Sequence, residues 1–131
     1  MKNFLRRLFP DKEMRAYRKM YRKHRKELVK LAKESRDFDW GYLHDLVMMK
    51  IRHMYEYYVA NNNVWQDDEK RLMIIEQMKE VLRLDMEIDA VYDFPDEDLD
   101  HESARELMAR EDALYVKLYK FIGENLRWWW D

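Results

Sequence analysis

The chain has 131 residues, of which 40% are charged and 47% apolar, with two glycines, two prolines and no cysteine. That length suits one domain, and dense charge with so few turn residues suits long helices and excludes a β-rich fold. Without cysteine there is no disulfide framework and no thiolate metal site, and no apolar run approaches the ~20 residues of a membrane span.

Met1 to Pro10 is amphipathic, with Phe4, Leu5, Leu8 and Phe9 set against Lys2, Arg6 and Arg7. It has neither a long apolar segment nor a small-residue cleavage site, so no secretory leader is expected and the cytosol is the default. A first helix is expected from about Asp11 to Lys33, entered through Pro10. Met14, Tyr17, Tyr21, His24, Leu28 and Leu31 recur at spacings of three and four, a heptad-like seam flanked by positive charge.

The second helix spans 39–60. Asp39 is a good N-cap, and Phe38 and Leu43 have hydrophobic-staple spacing. Leu43, Val47, Ile51, Met54 and Tyr58 form its apolar stripe, and Lys50 falls inside that arc. The run Asn61–Asn63 suits a turn. A third helix is expected from about Trp65 to Tyr92, with Leu72, Ile75, Met78, Leu82 and Met86 on its core side, widened by Ile74, Val81 and Ile88. Asp93 to Asp100 is a polar connection broken by Pro95. The fourth helix starts near His101–Ser103 and reaches the C-terminus. Its stripe is Ala104, Leu107, Met108, Leu114, Tyr115, Leu118, Phe121, Ile122, Leu126 and Trp129.

The expected fold is all-α, a single domain over 1–131. Three long helices in 36–131 close an antiparallel bundle, and the basic N-terminal helix (1–35) packs outside it or against another subunit. The net charge of −2 hides a polarity. Residues 1–34 hold 13 Lys/Arg against 4 Asp/Glu, a net of +9, and the remainder 12 against 23, a net of −11. Such a chain can pair its own halves, assemble with copies of itself, or hold a polyanion with its basic helix; self-pairing or assembly is the favoured expectation.

Lys50, Arg71 and Asp85 are all expected at half-buried positions. The first reading is an internal salt-bridge network, such as Lys50 with Asp85, because buried charges are usually paired. The second is a cationic pocket in which Lys50, Arg71 and His53 hold phosphate or carboxylate. Aromatic residues are plentiful at 15%. Trp40, Tyr57 or a terminal ring such as Trp128 is then available to stack on a base. Trp128, Trp129 and Trp130 cannot share one helix face, so at least one ring belongs to an interface, a ligand or solvent.

Catalytic and metal signals are poor. His44, His53 and His101 lack metal-ligand spacing, and an EF-hand begun at Asp96 would need glycine and glutamate where His101 and Leu107 stand. Glycine occurs only at 41 and 123, both expected within helices, so no phosphate loop exists. The expectation is a non-enzymatic protein with no cofactor.

The segment Arg36-Asp-Phe-Asp-Trp-Gly-Tyr-Leu43, followed by Lys50-Ile-Arg-His-Met54 and Tyr57-Tyr58, resembles a group of short proteins encoded by tailed phages. Their pattern is Arg-Asp-x-Asp-Trp/Tyr-x-Tyr-Leu, then Lys-Leu-x-Arg-Met-x-x-Tyr-Phe, an acidic or polar segment, a second amphipathic helix and an end near Trp-Trp-Asp. The likeness covers most of 36–92 and roughly the final ten residues. The chain departs from it at Asn61–Val64, at 93–101, and at His53, where the pattern more often has Arg. The resemblance implies an accessory protein in a host bacterial cytoplasm and brings no activity with it.

The leading expectation is therefore a homo-oligomeric helical protein that sequesters a small anionic ligand, a nucleotide signal of host antiphage defence. Lys50, Arg71 and His53 would hold phosphate, and Trp40, Tyr57 or Trp128 would stack. The alternatives are a protein-interaction module for a host or phage protein, and nucleic-acid binding through the basic helix.

Overall fold

A computed structural model of the chain describes residues 11–37, 39–60, 68–93 and 100–129, with side chains from residue 15 onward. It is all-α, with no strand among the described residues. The helices are α1 (Asp11–Glu34), α2 (Trp40–Ala60), α3 (Asp68–Ala90) and α4 (His101–Asn125), followed by a 3-10 turn, Leu126–Trp128. Helix order and number match the expectation. Phe38, Asn61–Asn63, Trp65, Pro95 and Trp130, which carried the staple, turn, breaker and terminal-ring readings, lie outside the described residues, as does the side chain of Met14.

Local chemistry explains where the helices begin and end. Asp39 caps α2, its Oδ1 accepting from the Gly41 N–H at 2.9 Å. Asp100 caps α4, accepting from the Ser103 N–H at 2.7 Å, and that bond holds its carboxyl below the usual range. At the other end α4 stops at Asn125 rather than running on, as the chain tightens to 3-10 and Trp129 N–H reaches the Leu126 carbonyl. Neither glycine marks the close approach of another helix. A side chain at Gly41 would meet the Asp39 carboxylate, and one at Gly123 would meet nothing.

The chain forms two compact units, Met1–Asp68 and Glu69–Asp131. In the first, α1 does not stand apart as a basic arm. It lies antiparallel to α2, as shown by the pairing of residue 24 with 56 and of 27 with 53. In the second, α3 and α4 also run antiparallel, with Glu80 near Lys117 and Tyr92 near Glu111. Trp129 is buried and donates its Nε1–H to Gln77 Oε1 at 2.7 Å. No helix of the described residues is long and apolar enough to cross a membrane.

Two stripes differ in phase from the sequence reading. On α3 the buried residues are Ile74, Ile75, Met78, Val81, Leu84 and Ile88, while Leu72 is exposed and Met86 is 72% exposed. Five of the six were expected, Leu84 being the addition, and the buried arc is turned by roughly 50° from the expected one, about half a residue on the wheel. Apolar residues surround most of α3, so its pattern left that rotation open. On α2 the buried set is His44, Met48, Ile51 and Tyr58 on one side, with His53 roughly opposite. Leu43 (61% exposed) and Lys50 fall between these two faces and are exposed. On α4, Leu118, Ile122 and Trp129 are buried as expected, but Met108 and Leu126 are not.

The corrected phase of α3 is testable with two methionines. Met78→Ala should cost about 2–5 kcal/mol in denaturant unfolding, because a fully buried side chain leaves a cavity. Met86→Ala should stay within roughly 0.5 kcal/mol.

Candidate functional site

The inner face of α1 carries His24 and Glu27, three residues apart, and α2 repeats the spacing with His53 and Glu56. Because the helices run antiparallel, the two repeats meet head to tail and pair crosswise. His24 Nε2 lies 2.6 Å from Glu56 Oε2, and His53 Nε2 lies 2.7 Å from Glu27 Oε2. In each, the imidazole N–H donates and the carboxylate accepts. The two imidazoles stack between the helices, 3.9 Å apart and 8° from parallel. Arg52 adds a bond from Nη2 to Glu27 Oε2 at 2.9 Å. Among the described residues no three His, Asp or Glu side chains converge as a metal site; these four groups engage one another instead.

The electrostatics follow from burial. The His53 side chain is 3% exposed, and burial penalises its imidazolium, holding its pKa below the ordinary 6.5. The bond to Glu27 opposes that shift, and the charge of His24 reinforces it. Glu27 is held below its usual 4.5 chiefly by the His53 hydrogen bond, with burial opposing and Arg52 assisting. His53 Nδ1 is buried without a hydrogen-bond partner.

Beside this crossing α1 and α2 part into an open cleft of about 250 Å3. Its residues include Tyr17, Tyr21 and His24 from α1 and Lys50, His53 and Tyr57 from α2. The tyrosines form a connected belt: Tyr17 stacks on Tyr21 (6.4 Å between centroids), meets Tyr57 edge-on (6.1 Å), and Tyr57 meets Tyr58 edge-on (5.5 Å). Lys50 and Tyr57 lie two helical turns apart on α2, about 10 Å by helix rise. The cleft thus has a cationic end, an imidazole pair in the middle and an aromatic end.

Of the six residues expected to bind ligand, Lys50, His53 and Tyr57 share this cleft. The other three do not line it. Trp40 is 66% exposed at the start of α2. Arg71 belongs to the second unit, where it is half-buried and engaged. Trp128 is also in that unit, 51% exposed with the Arg127 guanidinium 5.1 Å from its ring. Lys50 is exposed rather than half-buried, so it needs no internal counter-ion, and the ground for a buried Lys50–Asp85 pair is gone. Asp85 itself is half-buried and partnered. The crossed His–Glu pairs and the Tyr17–Tyr21 wall were missed, although the duplicated His-x-x-Glu spacing was there to be read. Comparison with protein-family models, curated proteins and solved structures gives no match.

The pH dependence is fixed in sign. Folding lowers the pKa of both His53 and Glu27, so both favour the folded state above their ordinary values and lose that contribution as pH falls. The first loss begins near 6.5 and the second near 4.5. The melting temperature should therefore drop between roughly pH 7 and 5.5, and His53→Gln should remove most of that step. Thermal denaturation followed by circular dichroism checks both.

Proposed function

We propose that this chain is a non-enzymatic binding protein whose α1–α2 cleft takes a small ligand combining an anionic group with a flat ring. The observation that carries this reading is the polarity of the cleft, with the exposed Lys50 ammonium at one end and the tyrosine belt at the other. The separation of about 10 Å along α2 suits a phosphate joined to a base through a sugar. A mononucleotide or one half of a dinucleotide has that build. Lys50 meets the phosphate as a mobile point charge, and Tyr21 and Tyr57 offer ring faces to the base.

The biological setting we propose is that of a tailed-phage accessory protein acting in the bacterial cytoplasm, where it sequesters a nucleotide signal of host defence. That setting draws on the sequence resemblance of 36–58. The exposed Trp40, Leu43 and Trp128 supply apolar surface for the homo-oligomer this reading includes.

Native mass spectrometry of the protein purified from phage-infected cells should reveal a bound nucleotide, and calorimetry with that nucleotide should give a measurable affinity. Lys50→Ala should abolish binding without loss of helicity, since the side chain is exposed. A protein that carries no nucleotide, or a Lys50→Ala variant with unchanged affinity, would sink the proposal.

A further inference from the structure

The face of α1 opposite the His–Glu crossing has a chemistry of its own. Between residues 15 and 33 the helix carries nine Lys/Arg, and every one is exposed. At 100° per residue they fall within one arc of about 160°, diametrically opposite the inner seam. The one carboxylate in that stretch, Glu27, is half-buried and committed to His53 and Arg52. Among the described residues none of the nine cations forms an ion pair. Within the first unit, then, the described carboxylates do not neutralise this face.

The arrangement costs helix stability. Arg15 and Lys19, Arg18 and Arg22, and Arg22 and Lys26 are like charges four residues apart, which repel on a helix surface. A polyanion relieves that repulsion. The face also lacks what a protein partner would grip. Its one exposed large apolar side chain is Val29, and a protein interface of useful affinity is built on buried aromatic or aliphatic anchors. A surface with nearly all its affinity in cations matches a phosphate backbone, which takes most of the contacts a protein makes with nucleic acid.

We infer that the outer face of α1 docks on the phosphate backbone of nucleic acid, without sequence preference. The exposed cations extend over about 27 Å of helix, several phosphates along one strand. The strongly acidic remainder of the chain is repelled from the same strand, which leaves the cationic face as the one that docks. The inference does not rest on the cleft reading, because it uses the opposite side of the helix and a different set of residues.

Fluorescence anisotropy with a labelled 20-base-pair DNA duplex, at roughly 50–200 mM salt, tests it. The expected result is a linear fall of log affinity with log salt, the same for a scrambled duplex. Replacing Arg18, Arg22 and Arg25 together by Gln should weaken binding at least about tenfold at 100 mM salt and flatten the slope by about 2–3. Circular dichroism should be unchanged, as all three side chains are exposed. Lys50→Ala should leave duplex binding intact, so this inference and the cleft proposal fail separately. Absence of duplex binding at low salt, a flat salt dependence, or an unaffected triple variant would overturn the inference. Salt-sensitive self-association without duplex binding would overturn it in favour of a second copy as the occupant.

Discussion

The crossed pairing of His24 with Glu56 and of Glu27 with His53 is the constraint on which the first unit depends. Two helices that meet through apolar side chains alone can rotate or slide by a residue at little cost. Two hydrogen-bonded pairs that cross, with their imidazoles stacked 3.9 Å apart, cannot. A slip of one residue would break both pairs and leave carboxylates and imidazoles half-buried without partners, which is expensive. Once that rotation is set, everything else on α1 has an address. Tyr17 and Tyr21 turn into the cleft, and the cations turn to solvent on the opposite face.

The same constraint gives the unit two electrically different sides separated by one helix. The inner side holds a histidine whose imidazolium is disfavoured by burial and a carboxylate whose charged form is favoured by its donors. The outer side holds uncompensated positive charge. A polar seam is a more discriminating way to join such helices than an oily one, since a strongly cationic helix has few aliphatic residues to spend on packing. Among the described residues of α1, Leu28 and Leu31 are the aliphatic members of the seam, beside the tyrosines, Met20, His24 and Glu27.

Lys50 changes meaning in this setting. On a helix with one apolar stripe it is a charge in the wrong place. On a helix buried on two roughly opposite sides it stands in the open wedge between them, at the mouth of the cleft. Its exposure removes the need for an internal partner and makes it available to a ligand. Arg71 and Asp85, with which it was grouped on the grounds of periodicity, belong to the second unit and have partners of their own.

What the sequence by itself determined is the helical class and where α1, α2 and α4 begin. Those depend on local chemistry: Asp39 and Asp100 as caps, scarce glycine and proline, and charge too dense for a sheet. Legible too were three of the cleft residues, Lys50, His53 and Tyr57, because they share a helix face at spacings of three and four. What only the tertiary structure decided is the rotational phase of α2 and α3 and the choice of partner for each ionisable group. Apolar residues line more than one side of both helices, so periodicity alone admits several buried arcs of similar quality. Which arc is buried is set by side chains on a different helix, and the His-x-x-Glu repeats acquire their meaning only when α1 and α2 are laid antiparallel.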